Sequence, residues 1–218
     1  MRHKMLFTAM AAATVVGGIL VGCASYPGGA SGKSAGGADV EAKAVAMMKT
    51  SFLPHGQAKL DRLDQDETQK LCSEAMEKAP PPAVAEKVQN VNLAMIKWPA
   101  DGKYLGDWKS GEKIAQLGQG MQYSDDPAKP AGANCYACHQ LTKEEVSYGT
   151  IGPTLYHFAK LRGYGPDIQK YAYGKVYNAE AYAACTNMPR FGHKNILTEA
   201  QIKDVVALLM DPQSPVNK

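Results

Sequence analysis

The sequence predicts a mainly α-helical fold, and three observations predict it. Apolar residues recur at helical spacing in several segments. The last such segment, Ile202, Val205, Val206 and Leu209, follows Thr198-Glu199-Ala200-Gln201, a capping-box pattern with Thr198 as N-cap. Alternation with a period of two is weak, so strands are not expected. A length of 218 residues suits one ordinary domain with an extension. With 24 Lys+Arg against 21 Asp+Glu, the chain lacks the strong basic excess of a nucleic-acid binder. Four Phe and two Trp predict a core with little aromatic mass, one that a cofactor would complete.

The first element is a leader. Arg2, His3 and Lys4 precede an uncharged apolar run from Leu6 to Gly22, too short for a membrane span and suited to a signal-peptide core. It ends in Leu20-Val21-Gly22-Cys23, which is similar to a bacterial lipobox. On that reading residues 1–22 are removed and Cys23 carries a lipid. The alternative is a secretory leader cut further on, with Cys23 discarded. Both readings export the chain to an oxidising compartment. Residues 23–38, rich in Gly, Ala and Ser, read as a flexible tether spanning on the order of 20 Å.

Residues 39–108 read as a helical extension. DVEAKAVAMMK consists of good helix formers. In the next segment Leu60, Leu63, Leu71 and Met76 form a loose apolar face, and Asp64, Asp66 and Glu67 read as a solvated face. Pro80-Pro81-Pro82 stops that helix; Val84, Val88, Val91 and Met95 form the face of another, which Pro99 ends. The extension shows no catalytic constellation, so its expected role is packing, support or partner contact. Residues 109–218 form the second part: a short helix in WKSGEKIAQLGQGM, a loop-rich stretch from Tyr123 to about Asn187, and the capped final helix.

The chemistry lies in Cys135-Tyr136-Ala137-Cys138-His139. Two Cys three apart can each form a thioether with one vinyl group of a haem, and the next residue, His139, then supplies the proximal imidazole. This is the attachment motif for one haem c. A zinc site would need two further ligands at a similar spacing, and a thioredoxin-like redox pair would need a βαβ context. The sequence offers neither. The sixth ligand comes from elsewhere. Met188, in the Pro- and Gly-flanked run TNMPRFG, is the first candidate, and a thioether there favours ferrous iron. His157 and His193 are rivals, and Met121 is a weaker one. Ile151-Gly152-Pro153 is either a plain turn or the source of a carbonyl, on Pro153, for the second nitrogen of His139.

Cys72 and Cys185 remain. In an exported protein they can pair, closing a loop worth on the order of 4–5 kcal/mol in the chain-entropy model; the alternatives are a reactive thiol or a mixed disulfide with a partner. Gly163-Tyr164-Gly165 alone is no phosphate loop. Asp125-Asp126 and Glu144-Glu145 read as solvated pairs. Lys143, Lys160, Arg162, Lys170, Lys175 and Lys194 are either scattered cations or a steering surface for an acidic partner.

GANCYACHQ, then IGPTL, then NMPRFGHKNILTEAQIKDVVALL, together resemble the SoxX family, with Met188 to Leu209 the most specific part. SoxX is the monohaem cytochrome c subunit of the SoxAX complex of bacterial thiosulfate oxidation. The resemblance covers about residues 108–210 and implies a class I cytochrome c fold, with Cys135 and Cys138 as thioether attachments, His139 as proximal ligand and Met188 as distal ligand. It implies a SoxA-like partner carrying the reactive cysteine, a SoxYZ-like carrier as substrate and a downstream cytochrome c as acceptor. The chain is then the haem subunit of an L-cysteine S-thiosulfotransferase, with no catalytic residue of its own, working in the periplasm. The lipobox departs from a freely soluble subunit and adds a membrane through a lipid anchor. The alternatives are a tethered cytochrome c that shuttles electrons to a terminal oxidase, and a haem-based sensor.

Overall fold

The computed structural model describes residues 35–75 and 79–218. The leader, Cys23, most of the tether and Met76 lie outside the described residues. Residues 45–218 form one compact unit. The unit before it is described only from Ala35, the start of helix α1 (Ala35–Ser51), where Lys43 and Asp39 pair one turn apart. The helix thus begins inside the segment expected to be tether. Its side chains from residue 39 onward are exposed, Met47 to 67%.

The remaining helices are α2 (Glu67–Ala75), α3 (Pro82–Ala94), α4 (Trp108–Leu117), α5 (Phe158–Arg162), α6 (Pro166–Tyr177) and α7 (Glu199–Met210). Four short 3-10 turns occupy Leu60–Leu63, Cys135–Ala137, Ala179–Ala181 and Pro215–Asn217. No strand occurs among the described residues.

The frame that carries the site is the crossing of α4 and α7. Asp107 caps α4 by accepting from the N–H groups of Lys109 and Ser110, and Gly118 ends the helix in the left-handed conformation at φ 62°. Gly111 lets the two backbones meet, since a Cβ there would stand 2.0 Å from the Asp204 carbonyl oxygen. Thr198 and Gln201 form the capping box that the sequence predicts for α7. Ile202, Val205, Val206 and Leu209 are buried, and so are Ala207, Leu208 and Met210, because the C-terminal turn covers the remaining side of the helix. Ser214 Oγ donates to Leu208 O, and Asn217 Nδ2 donates to Leu209 O and Asp211 O, which satisfies carbonyls that a helix end leaves open.

Four sequence expectations need correction. The stretch from Tyr123 to Asn187 is not all loop: it holds α5 and the 12-residue α6, whose buried face of Ala172, Tyr173, Val176 and Tyr177 is too short and mixed to show a clear period. The core is not poor in aromatic mass, because tyrosines supply it. Trp98, Tyr104, Tyr173 and Tyr177 form a chain of rings with neighbouring centroids 5.5–6.2 Å apart. On α3 the buried residues are Val88 and Asn92; the helix stops at Ala94, beyond which Met95 is 42% exposed and Ile96 is buried. On α2 the buried residue is Thr68, not a leucine.

Those two polar residues explain how the extension docks. Asn92 Nδ2 donates to Thr68 Oγ1 at 2.8 Å, and Asn178 Nδ2 donates to Asn92 Oδ1 at 2.9 Å. Asn178 sits between α6 and the Ala179–Ala181 turn. A buried amide relay therefore joins α2 and α3 to the body of the unit.

Candidate haem site

Cys135–Ala137 is a 3-10 turn capped by its predecessor, with Asn134 Oδ1 accepting from Ala137 N at 3.1 Å. His139 N donates to Cys135 O at 2.9 Å. The turn therefore presents Cys135, Cys138 and His139 together. Both cysteines are unpaired and partly buried. Poor solvation, helped by the neighbouring Cys138, pushes the Cys135 thiol up to about 12. Among the described residues no group of three His, Cys, Asp or Glu is arranged to hold a metal ion, so the zinc alternative has no ligand set there.

The chain returns against this turn. Gly149 N donates to Tyr136 O and Gly152 N to Cys138 O, each at 2.8 Å. Pro153 O lies 2.7 Å from His139 Nδ1. A carbonyl only accepts, so Nδ1 carries the proton and Nε2 is left with its lone pair. Pro153 is thus an acceptor for the imidazole as well as part of a turn. The partner fixes the tautomer that an iron ligand needs.

Met188 lies in the loop between the Ala179–Ala181 turn and α7. Its N–H meets Thr186 Oγ1 at 3.3 Å. Its side chain is partly buried and packs against the main core, as Cys135 does. The loop returns to α6 through Gly192 N and His193 N, which both donate to Tyr177 O at 3.0 Å. The rival ligands are placed differently. His157 Nε2 is 2.5 Å from Lys218 O and its ring stacks on Tyr156, so it is engaged with the C-terminal segment. His193 is partly buried, and burial together with Arg190 and Lys194 lowers its proton affinity. Met121 sits in a left-handed turn at φ 69°, its carbonyl accepting from Arg62.

Cys72 and Cys185 form a disulfide, tying α2 to the Met188 loop. Asp66 adds a second tie. Arg190 Nη2 donates to Asp66 Oδ2 at 2.6 Å, and Lys194 Nζ donates to the same atom at 2.8 Å. Burial alone would raise the Asp66 carboxyl; the hydrogen bonds from Lys194, Gln69 N–H and Arg190 outweigh it and hold the group well below the usual carboxylate range. Asp66 is therefore not a solvated residue on a free helix face, and Lys194 is no free steering cation. Of the other cations, Lys170 lies over Trp98 and Arg162 over Phe158, while Lys175 Nζ donates to Ala179 O. Sequence reasoning missed Asp66, Arg190, Asn92 and Asn178 as site supports. The only local signal was Asp66-x-x-Gln69 ahead of α2, a reciprocal capping pattern.

Two unpaired thiols, an imidazole with a free Nε2 and a partly buried thioether suit a covalently attached haem. The cytochrome c family model matches residues 128–211, which span the motif, the Gly152-Pro153 return, Met188 and α7. The chain carries a cytochrome c domain. Its cofactor is covalently bound haem c, its helical architecture is that of a class I cytochrome c, and it is an electron-transfer haem protein. The cytochrome is also 39% identical over 160 residues to an uncharacterized lipoprotein of Aquifex aeolicus, covering 71% of this chain and 73% of that one. The two belong to one family. A similarity of that length runs well beyond the cytochrome c match.

Proposed function

We propose that this cytochrome is the electron-relay subunit of a SoxAX-type L-cysteine S-thiosulfotransferase, taking electrons released when thiosulfate is joined to a carrier-protein cysteine. What supports the reading is the resemblance that runs unbroken from Met188 to Leu209 and includes CYACHQ and IGPTL upstream. Cys135 and Cys138 would hold the haem covalently, and His139 and Met188 would be its iron ligands. When bound to these residues, the haem would supply one-electron storage. The coupling releases two electrons, so the subunit cycles twice or shares with a partner cytochrome. His139 donates through Nδ1 to Pro153 O, which sets the orientation of its ring. Met188, a soft neutral donor, favours the ferrous state and raises the potential. The reactive cysteine belongs to a SoxA-like partner, the substrate is a SoxYZ-like carrier and the acceptor a further cytochrome c. Cys23 is the lipid attachment point that holds the complex at a membrane facing the periplasm, a reading supported by the similarity to an Aquifex lipoprotein.

A tagged full-length chain, recovered from cells grown on thiosulfate, tests the reading. A stoichiometric SoxA-like partner and thiosulfate-dependent haem reduction are expected. A cytochrome recovered alone that exchanges electrons with an oxidase would instead be a tethered shuttle.

A further inference from the structure

We infer that α2 of the extension is a clamp that positions Met188, with Asp66 and Cys72 as its two jaws. The inference rests on Met188 being the distal ligand. Met188 lies between two anchored positions. Three residues before it, Cys185 is covalently tied to Cys72; two residues after it, Arg190 is tied to Asp66. Both partners stand on one short rigid element. Asp66 caps the start of α2, its Oδ1 accepting from Gln69 N at 2.9 Å, and Cys72 follows further along the same helix. Six residues of helix span about 9 Å, so the jaws hold the loop at two separate points.

The loop has few other restraints. Cys185 adopts φ 59°, a conformation that L residues rarely take, and its N–H is held by Glu180 Oε2 at 2.6 Å. Met188 itself makes one long hydrogen bond through its main-chain N–H. An open cleft of about 570 Å³ lies beside these ties, lined by Gln69, Cys72, Cys185, Met188 and Arg190. The loop is thus pinned at two points that flank Met188, whose side chain packs against the core between them. Arg190 is 9% exposed, so its pairing with Asp66 is shielded from the screening that weakens surface pairs. α2 in turn is fixed by the Thr68–Asn92–Asn178 relay. Asp66 is therefore a positioning residue, which acts on Met188 through Arg190.

The test uses the holoprotein and three readouts: the ferric charge-transfer band of a methionine–iron bond, the midpoint potential, and the affinity of the ferric protein for cyanide, which must displace the distal ligand. Asp66→Asn keeps a good N-cap residue and removes the charge. Losing a charge-assisted hydrogen bond is expected to tighten cyanide binding roughly tenfold, with the band bleaching on warming before the helices melt. Reduction of the disulfide in the unaltered protein with a phosphine is expected to do the same, as is the Cys72→Ser/Cys185→Ser pair. Asp66→Glu is expected to restore cyanide affinity toward that of the native protein. If Met188→Ala alters the spectrum while Asp66→Asn and disulfide reduction leave cyanide affinity and the band unchanged, the clamp is overturned and the ligand assignment stands. If Met188→Ala leaves the spectrum unchanged, the ligand assignment fails and the clamp falls with it.

Discussion

Gly152 lies directly against the ring of His139: a Cβ on Gly152 would stand 2.2 Å from His139 Cε1. No side chain fits there, and the next residue supplies the carbonyl that holds Nδ1. Gly152→Ala is expected to push the ring off its acceptor and to destabilise the protein by about 1–3 kcal/mol, the usual cost of overpacking. Urea unfolding of the holoprotein measures the loss, and the yield of covalent haem should fall with it. Native stability and yield would mean that the ring is not confined by this glycine.

At the α4–α7 crossing two effects oppose each other. Alanine in place of Gly111 gains about 1 kcal/mol of helix propensity. Its Cβ would stand 2.0 Å from the Asp204 carbonyl oxygen, which is backbone and gives way poorly. The steric term wins, so Gly111→Ala should lower the denaturant midpoint despite the better helix former.

The amide relay makes a third prediction. Asn92→Ala leaves the Thr68 hydroxyl without its buried partner and removes one of the two acceptors of the Asn178 amide, which keeps the main-chain carbonyl of residue 92. At about 1–3 kcal/mol for a stranded buried group, the variant should lose roughly 2 kcal/mol. Asn92→Ala/Asn178→Ala should cost less than the sum of the single variants, because the two residues share a bond. Strict additivity would show that the relay does not act as a unit.

Acid should weaken the Asp66 cluster. The carboxyl is held below its ordinary value in the folded state, so the unfolded chain binds its proton first as pH falls. The stability it contributes is full above about pH 5, declines through the ordinary carboxylate range near 4, and is lost as pH falls through the depressed folded value. Native protein should thus exceed Asp66→Asn in stability at neutral pH, and the gap should close on acidification. Melting curves at a series of pH values check this; a gap independent of pH would mean that the charge of Asp66 does not contribute.

Legibility in the sequence followed the range of the interactions. The capping box at Thr198 and the Cys135–His139 motif are local, and both could be read because spacing along the chain sets the geometry. The face of α3 was misread because a period of apolar residues does not reveal that Asn92 faces inward. That orientation depends on Thr68 and on Asn178, the latter 86 positions further along the chain. α6 was missed for a related reason: tyrosines, alanine and Gly174 bury one face without forming a run of aliphatic residues. Asp66 looked like part of an acidic surface, and only the approach of Arg190 from 124 positions away makes it a structural carboxylate.

The disulfide also constrains how the protein matures. The described residues hold four cysteines, and four cysteines can pair in three ways. Joining Cys72 to Cys185 leaves Cys135 and Cys138 as the other two, neighbours on one turn that an oxidant could close. The chain therefore needs one pair oxidised and the other kept as thiols until haem attachment. An oxidant acting before attachment threatens the haem thiols; attachment completed first consumes them, after which Cys72 and Cys185 have only each other within the described fold. Thioether formation ahead of disulfide closure is the order that keeps every sulfur with its proper partner.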